Sequence, residues 1–251
     1  MNFNSTIALI TGANKENGIG RALANALLEK GCQKIYVTAR DVTSFNDIEA
    51  SSAGRVKPIQ LDITDHKAVA LLAESCSDCN LLINNAGIAG GGSLLQPKSV
   101  FGARSDMEVN YFGTLAMCRA FSPILIKNGG GGIVNICSVA GLVGIPVIAS
   151  YAASKAALHS LTQSIRGELA KKGTLVVGVY PGPIDTEMGK GLNTDLVAPS
   201  GVATKVLDAI VHRQESVFPD PVAERIQRGL RQDAQAIEKE FAIEFGGIRL
   251  A

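Results

Sequence analysis

A tyrosine and a lysine stand four residues apart in the segment SYAASKAALHSL (150–161), and this pair could carry out proton transfer. Residues at i and i+4 share one face of a helix, so Tyr151 and Lys155 would point the same way. Four alanines around them leave room for other molecules to approach. The structural alternative is a surface lysine beside a half-buried tyrosine.

The charge of Lys155 is expected to make the phenol of Tyr151 more acidic. An unperturbed tyrosine has a pKa of about 10, which is too high for efficient proton exchange near neutral pH. A unit charge about 4 Å away, at an effective dielectric constant of about 20, contributes roughly 4 kcal/mol. Because about 1.36 kcal/mol corresponds to one pKa unit, this energy predicts a pKa of about 7 for Tyr151.

The segment TGANKENGIG (11–20) has the residue types of a phosphate-binding turn. Gly12 permits a tight turn, while Gly18 and Gly20 allow the backbone to come close to a pyrophosphate. The N-terminus of the following helix offers unpaired N–H groups and the positive end of its dipole. A plain glycine-rich turn is the alternative, because the segment lacks the G-x-G-x-x-G spacing.

Short apolar, β-branched runs alternate with longer amphipathic segments, which predicts parallel strands joined by crossover helices. The predicted strands cover residues 6–11, 34–39, 56–62, 80–85, 132–139, 174–180 and 216–219. The predicted helices cover residues 18–31, about 65–78, part of 105–127, 150–172, 201–213 and 221–242. Pro58 predicts an early or edge position for the third strand. Long Gly/Pro-rich loops at 88–100 and 183–200 are typical of functional loops.

Five motifs in order resemble the signatures of the short-chain dehydrogenases/reductases. They are the turn at 11–20, LDIT (61–64), NNAG (84–87), Ser138 with Tyr151 and Lys155, and YPGPIDTEM (180–188). The resemblance covers roughly residues 5–215. It implies an α/β fold: one Rossmann-type domain over residues 1–251, with a doubly wound, mostly parallel seven-stranded sheet and helices on both faces.

Two features of the chain depart from this family's pattern. The Gly-rich turn carries two additional residues within KEN (15–17). A helical extension at about 220–242 replaces the Gly-rich tail with which many members build a tetramer. The resemblance implies a homo-oligomer, either a dimer or a tetramer. The long Gly/Pro-rich loop at about 183–200 is expected to be the substrate loop.

The resemblance also implies roles for individual residues. Asn110, Ser138, Tyr151 and Lys155 would form the catalytic set, with Ser138 bonding the substrate oxygen and Asn110 holding a water behind Lys155. The residues implied to contact the dinucleotide are Gly12, Asn14, Lys15, Gly18, Ile19, Gly20, Arg40, Asp62, Ile63, Asn85, Ala86, Gly87, Tyr151, Lys155, Ile184 and Thr186. Asn84 would have a structural role.

NADP(H) is the expected cofactor, in preference to NAD(H). NAD enzymes of the family usually carry an acidic residue where Ala39 stands, and here Arg40 follows it. A guanidinium can bind a 2′-phosphate with paired hydrogen bonds. TARD (38–41), together with Lys15, is similar to the NADPH-dependent carbonyl reductases of the family. Asp41 leaves NAD(H) open, because an inward-facing carboxylate would bond the ribose hydroxyl.

The composition narrows the possible partners and location. The 251 residues are 46% hydrophobic, with 24 basic and 23 acidic side chains and a net charge of +1. This balance gives no reason to expect a nucleic acid or a membrane surface as partner. The five scattered cysteines and an N-terminus without a signal-peptide pattern predict free thiols in the cytoplasm. For the C-x-x-C of Cys76 and Cys79 we expect buried residues, and no metal site is expected.

The sequence thus predicts an oxidoreductase that moves a hydride between a nicotinamide and a small carbonyl compound or alcohol. Apolar residues are expected around the reacting group: Leu142, Val143, Ile145, Pro183 and Met188. An enoyl reductase is disfavoured by Ser138 and by the four-residue Tyr–Lys spacing. An NAD(H)-using dehydrogenase and a non-catalytic, dinucleotide-sensing interaction protein stay as alternatives, although the intact tetrad argues against the second.

Overall fold

The computed structural model describes residues 1–95, 100–190 and 196–245. Its strands are β1 (Ile7–Thr11), β2 (Lys34–Ala39), β3 (Val56–Gln60), β4 (Leu81–Asn84), β5 (Gly132–Ile136), β6 (Leu175–Val179) and β7 (Ser216–Val217). They form one sheet in the order β3-β2-β1-β4-β5-β6-β7, and every pair of neighbours is parallel. The predicted doubly wound α/β fold is confirmed, with a sheet that is parallel throughout these strands.

The helices lie on both faces of this sheet. They are α1 (Ile19–Glu29), α2 (Asn46–Ser51), α3 (His66–Ser75), α4 (Phe101–Met107), α5 (Thr114–Lys127), α6 (Ala149–Leu169), α7 (Pro199–Val211), α8 (Pro221–Gln232) and α9 (Ala234–Phe245). Most of them match the predicted segments to within a few residues. The two expected loops extend over residues 96–99 and 191–195, which lie outside the described ranges.

The core has two halves, because alternate residues of each strand point to opposite faces. Leu9 and Leu82 face the side covered by α3, α5, α6 and the two C-terminal helices. Ile10 and Ile83 face the side covered by α1, α2 and α7. All four side chains are fully buried. Burial on both faces explains why the strands read as continuous apolar runs.

The position of β3 confirms the inference from its proline. Pro58 pairs in register with Val37, and β3 lies at the outer edge of the sheet. Proline has no N–H to donate, so it is tolerated where one side of the strand has no partner.

Helix α2 was not predicted from the sequence. It has only six residues, and its amphipathic pattern is too short to detect. Tertiary contacts hold it, because Phe45 and Ile48 are buried and Arg21 from α1 forms an ion pair with Asp47 at 2.7 Å.

The helical run from Phe101 to Lys127 includes a π-helical turn at Glu108–Gly113 between α4 and α5. Of the helices described, this run alone is long and apolar enough to cross a membrane by length and composition. Its inner face packs into the core through the fully buried Met117, Phe121 and Leu125. Core helices of globular proteins have the same character.

The prediction of one C-terminal helix over 221–242 is wrong. Helix α8 ends at Gln232, and Asp233 has an extended backbone with φ −156° and ψ 96°. Its carboxylate accepts from the Ala236 N–H at 3.0 Å, which begins α9. The chain then folds back, so that Ile237 and Phe241 are buried with α8.

All five cysteines are buried free thiols. Burial raises the pKa of Cys76 and of Cys79 to about 12, so neither has the character of a reactive thiolate. The expectation that the C-x-x-C pair is buried is confirmed. Within the described ranges, no group of three or more His, Cys, Asp or Glu side chains could hold a metal ion.

Candidate active site

The carboxyl ends of the parallel strands meet at one edge of the sheet, where a crevice opens between β1 and β4. The chain runs outward from β1 to β3 and then returns beside β1 as β4, so strand order reverses here. The hydroxyl of Thr11 accepts from the N–H groups of Asn85 and Ala86, each at 3.0 Å. The Asn85 amide donates to the carbonyls of Thr11 and Gly12, each at 2.9 Å. The Gly-rich turn and NNAG therefore form one unit.

Two glycines of the turn are required by close contacts. Gly12 has φ +64°, and a Cβ there would lie 2.7 Å from the Cα of Ala86. A Cβ on Gly20 would lie 2.5 Å from the Asn85 amide nitrogen. Gly18 stands at the N-cap of α1, and no described side chain caps this helix end. Its first N–H groups can therefore bind an anion, and this cradle fits a dinucleotide pyrophosphate.

The additional residues of the turn bridge the crevice. The Lys15 ammonium forms an ion pair with Glu187 at 2.6 Å, and the Asn17 amide donates to the carbonyl of Asp185 at 2.7 Å. Both partners belong to the segment after β6. Lys15, which the resemblance assigned to the dinucleotide, is thus paired with Glu187 here. Since both side chains are largely exposed, the pair contributes little to stability.

The residues predicted for the adenosine side lie after β2 and β3. Arg40 is exposed immediately after β2. Hydrogen bonds from Thr64 hold the pKa of Asp62 below its usual value, with a smaller contribution from the charge of Arg40. Asp41 is turned toward Thr43, whose N–H and hydroxyl donate to its carboxylate at 2.9 and 2.7 Å. These bonds lower the pKa of Asp41.

Three of the predicted catalytic side chains meet between β5 and α6. The side chain of Ser138, two residues after β5, lies beside Tyr151, and its hydroxyl accepts from the N–H of Ala140 at 3.1 Å. The ammonium of Lys155 donates to the carbonyl of Ile136 at 2.8 Å and lies 5.6 Å from the centre of the Tyr151 ring. Ser138 and Lys155 are buried, and Tyr151 is half-buried at the surface of the crevice.

Burial, rather than the lysine charge, dominates the acidity of this pair. Burial raises the pKa of Tyr151 to about 12, although the neighbouring Ser138 hydroxyl acts to lower this pKa. It also lowers the pKa of Lys155 to about 8. The predicted pKa of about 7 for Tyr151 is therefore wrong for these surroundings. That argument counted the attraction between the two groups and omitted the loss of water around them.

Asn110 lies in the π-helical turn and is fully buried. Its amide oxygen accepts from the N–H of Ile88, and its amide nitrogen donates to the Ile88 carbonyl and to the Ser154 hydroxyl, all at 2.8 Å. A Cβ on Gly87 would lie 3.1 Å from the Asn110 oxygen and 3.4 Å from the Lys155 nitrogen. The fourth predicted catalytic residue thus lies near Lys155.

The segment after β6 closes the far side of the crevice. The N–H of Gly182 donates to the buried carboxylate of Asp220 at 2.7 Å. Ile184 is buried and pairs with Val197 in a short parallel bridge. Thr186 is half-buried, and its N–H donates to the Ile184 carbonyl at 2.7 Å.

The remaining predicted residues take different positions. Asn14 is half-buried in the turn and Ile19 begins α1. Ile63 is buried against the π-helical turn, where a Cβ on Gly113 would lie 2.7 Å from its side chain. Asn84 donates to the Asn135 amide oxygen at 2.9 Å inside the core, as a structural residue would.

The residues expected around the reacting carbonyl are not equally available. Val143 and Ile145 are buried in the core, whereas Leu142 and Pro183 are half-buried and Met188 is 55% exposed.

Sequence reasoning missed Thr11 as the link between the Gly-rich turn and NNAG, although Thr11 is the first residue of the turn segment at 11–20. It also missed Asp106, Ser150 and Asp220, which act over long sequence separations.

Comparison with known proteins shows which family and which solved structures this chain resembles. The family profile described as short chain dehydrogenase matches residues 6–197. A 3-oxoacyl-[acyl-carrier-protein] reductase of Synechocystis sp. is 33% identical over 196 residues, or 75% of this chain and 78% of that protein. A dehydrogenase/reductase SDR family protein 7-like of Anopheles gambiae is 30% identical over 261 residues, covering 94% of this chain and 81% of its own.

A solved structure extends the likeness to the whole fold. A short chain dehydrogenase from Burkholderia cenocepacia, in complex with NADP, superposes with a TM-score of 0.90 and 39% identity. The match covers 96% of this chain and 99% of that one. The chain belongs to the short-chain dehydrogenase/reductase family, whose members are nicotinamide-dependent oxidoreductases.

Proposed function

We propose that this protein is an NADP(H)-dependent oxidoreductase that transfers a hydride between the nicotinamide and a carbonyl compound or secondary alcohol. Tyr151 is the general acid or base, assisted by Lys155, Ser138 and Asn110. The observation that carries the proposal is that Ser138, after β5, and Tyr151, on α6, lie side by side next to the buried Lys155, whose ammonium is 5.6 Å from the centre of the tyrosine ring. Two neighbouring hydroxyls can converge on one substrate oxygen.

The chain's own groups handle the proton and the substrate oxygen. When bound, the nicotinamide supplies or accepts the hydride. Ser138 and Tyr151 donate hydrogen bonds to the carbonyl oxygen, and Tyr151 passes its proton to this oxygen as negative charge develops there. The ammonium of Lys155 then stabilises the phenolate that is left. Because the pKa of Tyr151 is raised, the phenol carries its proton at neutral pH and can serve as the acid in carbonyl reduction.

Asn110 has a positioning part in this proposal. Its amide makes hydrogen bonds to Ile88 and Ser154, so the side chain is engaged and is not itself a proton donor. It joins the segment after β4 to α6 beside Lys155. The Gly87 backbone lies next to the Asn110 amide and the Lys155 ammonium, and its lack of a side chain leaves the space between them open.

The preference for NADP(H) is supported by two observations on the adenosine side. Arg40 is exposed where a 2′-phosphate would lie if the cofactor is bound as in the family. Asp41, the residue that left NAD(H) as an alternative cofactor, has its carboxylate hydrogen-bonded by the N–H and hydroxyl of Thr43. The 39% identical relative from Burkholderia cenocepacia is described in complex with NADP. NAD(H) is the alternative cofactor.

The substrate in this proposal is an uncharged ketone, aldehyde or secondary alcohol. Apolar side chains on the loops after β5 and β6 support this class, with Leu142 half-buried, Val147 44% exposed and Met188 55% exposed. A single-domain chain, a homo-oligomeric state and a cytoplasmic location remain predictions.

The proposal is tested by following NADPH oxidation by the purified protein with a panel of ketones and aldehydes. Tyr151→Phe removes the proton donor, so turnover should fall by about 10²- to 10⁴-fold, the usual contribution of general acid catalysis. NADPH binding, measured by fluorescence, should persist. Tyr36→Phe is the matched control, since its hydroxyl bonds Lys34 and Asp78 away from the crevice. Full activity of Tyr151→Phe would contradict the mechanism, and tight NADPH binding without turnover of any carbonyl would favour the dinucleotide-sensing alternative.

A further inference from the structure

The helix that carries Tyr151 begins without a cap of its own. Helix α6 starts at Ala149, so Tyr151 lies in its first turn. Ile148 stands at the N-cap, and no side chain among the described residues caps this end. Uncapped first turns fray, because their N–H groups have no partner within the helix. Something else must hold the first turn of α6 in place.

A carboxylate from another helix lies at this position. Asp106 of α4 is fully buried. One of its oxygens accepts from the N–H of Gly90 at 2.7 Å. The other accepts from the N–H of Gly91 at 3.2 Å and from the hydroxyl of Ser150 at 2.7 Å. Backbone N–H groups can only donate, so a carboxylate, which only accepts, matches this set.

The Gly90–Gly92 segment completes the arrangement. The carbonyl of Gly92 accepts from the N–H of Ser150 at 3.2 Å, so the segment serves one of the free N–H groups of α6. A Cβ on Gly91 would overlap the Ser150 hydroxyl. A Cβ on Gly102 of α4 would lie 2.7 Å from the Cα of Gly91. Glycine at both positions lets α4, this segment and α6 come together around one carboxylate.

We propose that Asp106 is a positioning residue for Tyr151: its buried carboxylate binds the Ser150 hydroxyl at the start of α6 and the N–H groups of Gly90 and Gly91, and so holds the first turn of that helix against Gly90–Gly92. A negative charge at a helix N-terminus is favoured by the helix dipole. Ser150 transmits the contact, because its hydroxyl donates to Asp106 and its N–H donates to the carbonyl of Gly92. The inference rests on the proposed role of Tyr151.

Asp106 also influences the phenol through its charge. The groups that face Tyr151 are Lys155 from its own helix, Ser138 and Cys137 from the end of β5, and Asp106 from α4. The charge of Asp106 helps to keep the proton on Tyr151, in addition to the larger effect of burial.

The experiment compares wild type with Asp106→Asn, Asp106→Ala and Ser150→Ala. In the alanine variant at Asp106, kcat for carbonyl reduction should fall by about 10²-fold with little change in KM, as expected when a reacting group is misplaced by about 1 Å. Asp106→Asn and Ser150→Ala keep part of the hydrogen-bond set and should give smaller losses. In Asp106→Asn, phenolate formation at Tyr151 should begin at lower pH, followed by NMR of carbon-13-labelled tyrosine and assigned with Tyr151→Phe.

Asp78→Asn is the matched control, since Asp78 accepts from the Lys34 ammonium at 2.5 Å and from the Tyr36 hydroxyl at 3.1 Å at the amino ends of the strands, away from the crevice. It should leave kcat and the Tyr151 titration unchanged. If Asp106→Ala does not fold, Asp106→Asn and Ser150→Ala decide the question. Folded variants with wild-type kcat and an unchanged titration would overturn the inference, as would a loss confined to thermal stability. The titration needs no turnover, so a wild type that reduces no carbonyl would refute the proposed function while the effect of Asp106 on the phenol is still measured.

Discussion

Lys155 is 3% exposed and donates to a single backbone carbonyl, that of Ile136. Its charge is therefore held in surroundings that disfavour it, and its pKa falls to about 8. The spacing of Tyr151 and Lys155 was readable from the sequence, but their degree of burial was not. Burial depends on tertiary packing of α6 against β5, the segment after it and α4, which the sequence does not show. This is why the location of the pair was predictable and its acidity was not.

The buried charge of Lys155 should reduce stability at neutral pH. The folded-state pKa is lower than the unfolded one of 10.5, so the unfolded chain binds more protons between about pH 8 and 10.5. The cost is present in full below about pH 8 and disappears as the pH rises to about 10.5. We expect Lys155→Met to be more stable than wild type at pH 7, by up to about 3 kcal/mol, and the difference to shrink by pH 10.

Urea unfolding of both proteins at pH 7 and pH 10 measures this difference. Lys205→Met is the control, because Lys205 is half exposed in an ion pair with Glu224, and its replacement should change the free energy of unfolding by no more than about 1 kcal/mol. A constant difference between wild type and Lys155→Met at the two pH values would contradict the assignment.

At the scale of elements, Asp220 joins the C-terminal helices to the crevice. It caps α8 through the N–H of Ala223 at 2.9 Å and accepts from the N–H of Gly182 at 2.7 Å. A Cβ on Gly182 would lie 2.6 Å from the same carboxylate. One buried residue thus holds a helix and the Pro-Gly segment together, which gives the C-terminal extension a role in shaping the site.

Replacing Asp220 should affect both stability and cofactor affinity. Loss of the cap contributes about 1 kcal/mol, and the abandoned N–H of Gly182 adds about 1–3 kcal/mol. We expect Asp220→Ala to lower the free energy of unfolding by about 2–4 kcal/mol and to raise the KM for NADPH. Asp233→Ala, which removes only the exposed cap of α9, is the control and should leave this KM unchanged. An unaltered KM for NADPH in Asp220→Ala would show that the contact between α8 and the Pro-Gly segment does not shape the cofactor site.

The sequence predicted long, periodic elements well and short or interrupted ones poorly. All seven strands were expected, because buried parallel strands are continuous apolar runs. Helix α2 escaped notice since its six residues are held by Phe45 and Ile48. The break at Asp233 was missed because the apolar stripe continues through it in sequence. The stripe changes direction only when Asp233 caps a second helix.

On the scale of the whole molecule, an all-parallel sheet brings motifs from the entire chain to one edge. Segments after six strands, from the turn at 11–20 to Thr186, lie at the carboxyl ends. This explains how the order of motifs could predict the location of the site. Contacts such as Asp106 with Ser150 stayed hidden, because 44 residues separate the partners and Asp106 belongs to no motif.

Cofactor preference should be visible in global stability. A ligand at about 100 times its Kd stabilises the folded state by about 2.7 kcal/mol, or about 5–10 °C in Tm for a chain of this size. We expect NADP to raise the Tm more than NAD at equal concentration. Arg40→Ser should remove this advantage and leave the effect of NAD intact. Equal shifts with both dinucleotides in the wild type would contradict the preference.

Chemical modification of the five buried thiols would report on unfolding of the chain. Burial raises the pKa of each of them, so the folded protein offers no thiolate to an oxidant or alkylating reagent at neutral pH. A modified cysteine therefore marks a molecule that has lost its packing. Oxidative stress would strike partly unfolded copies and spare intact ones.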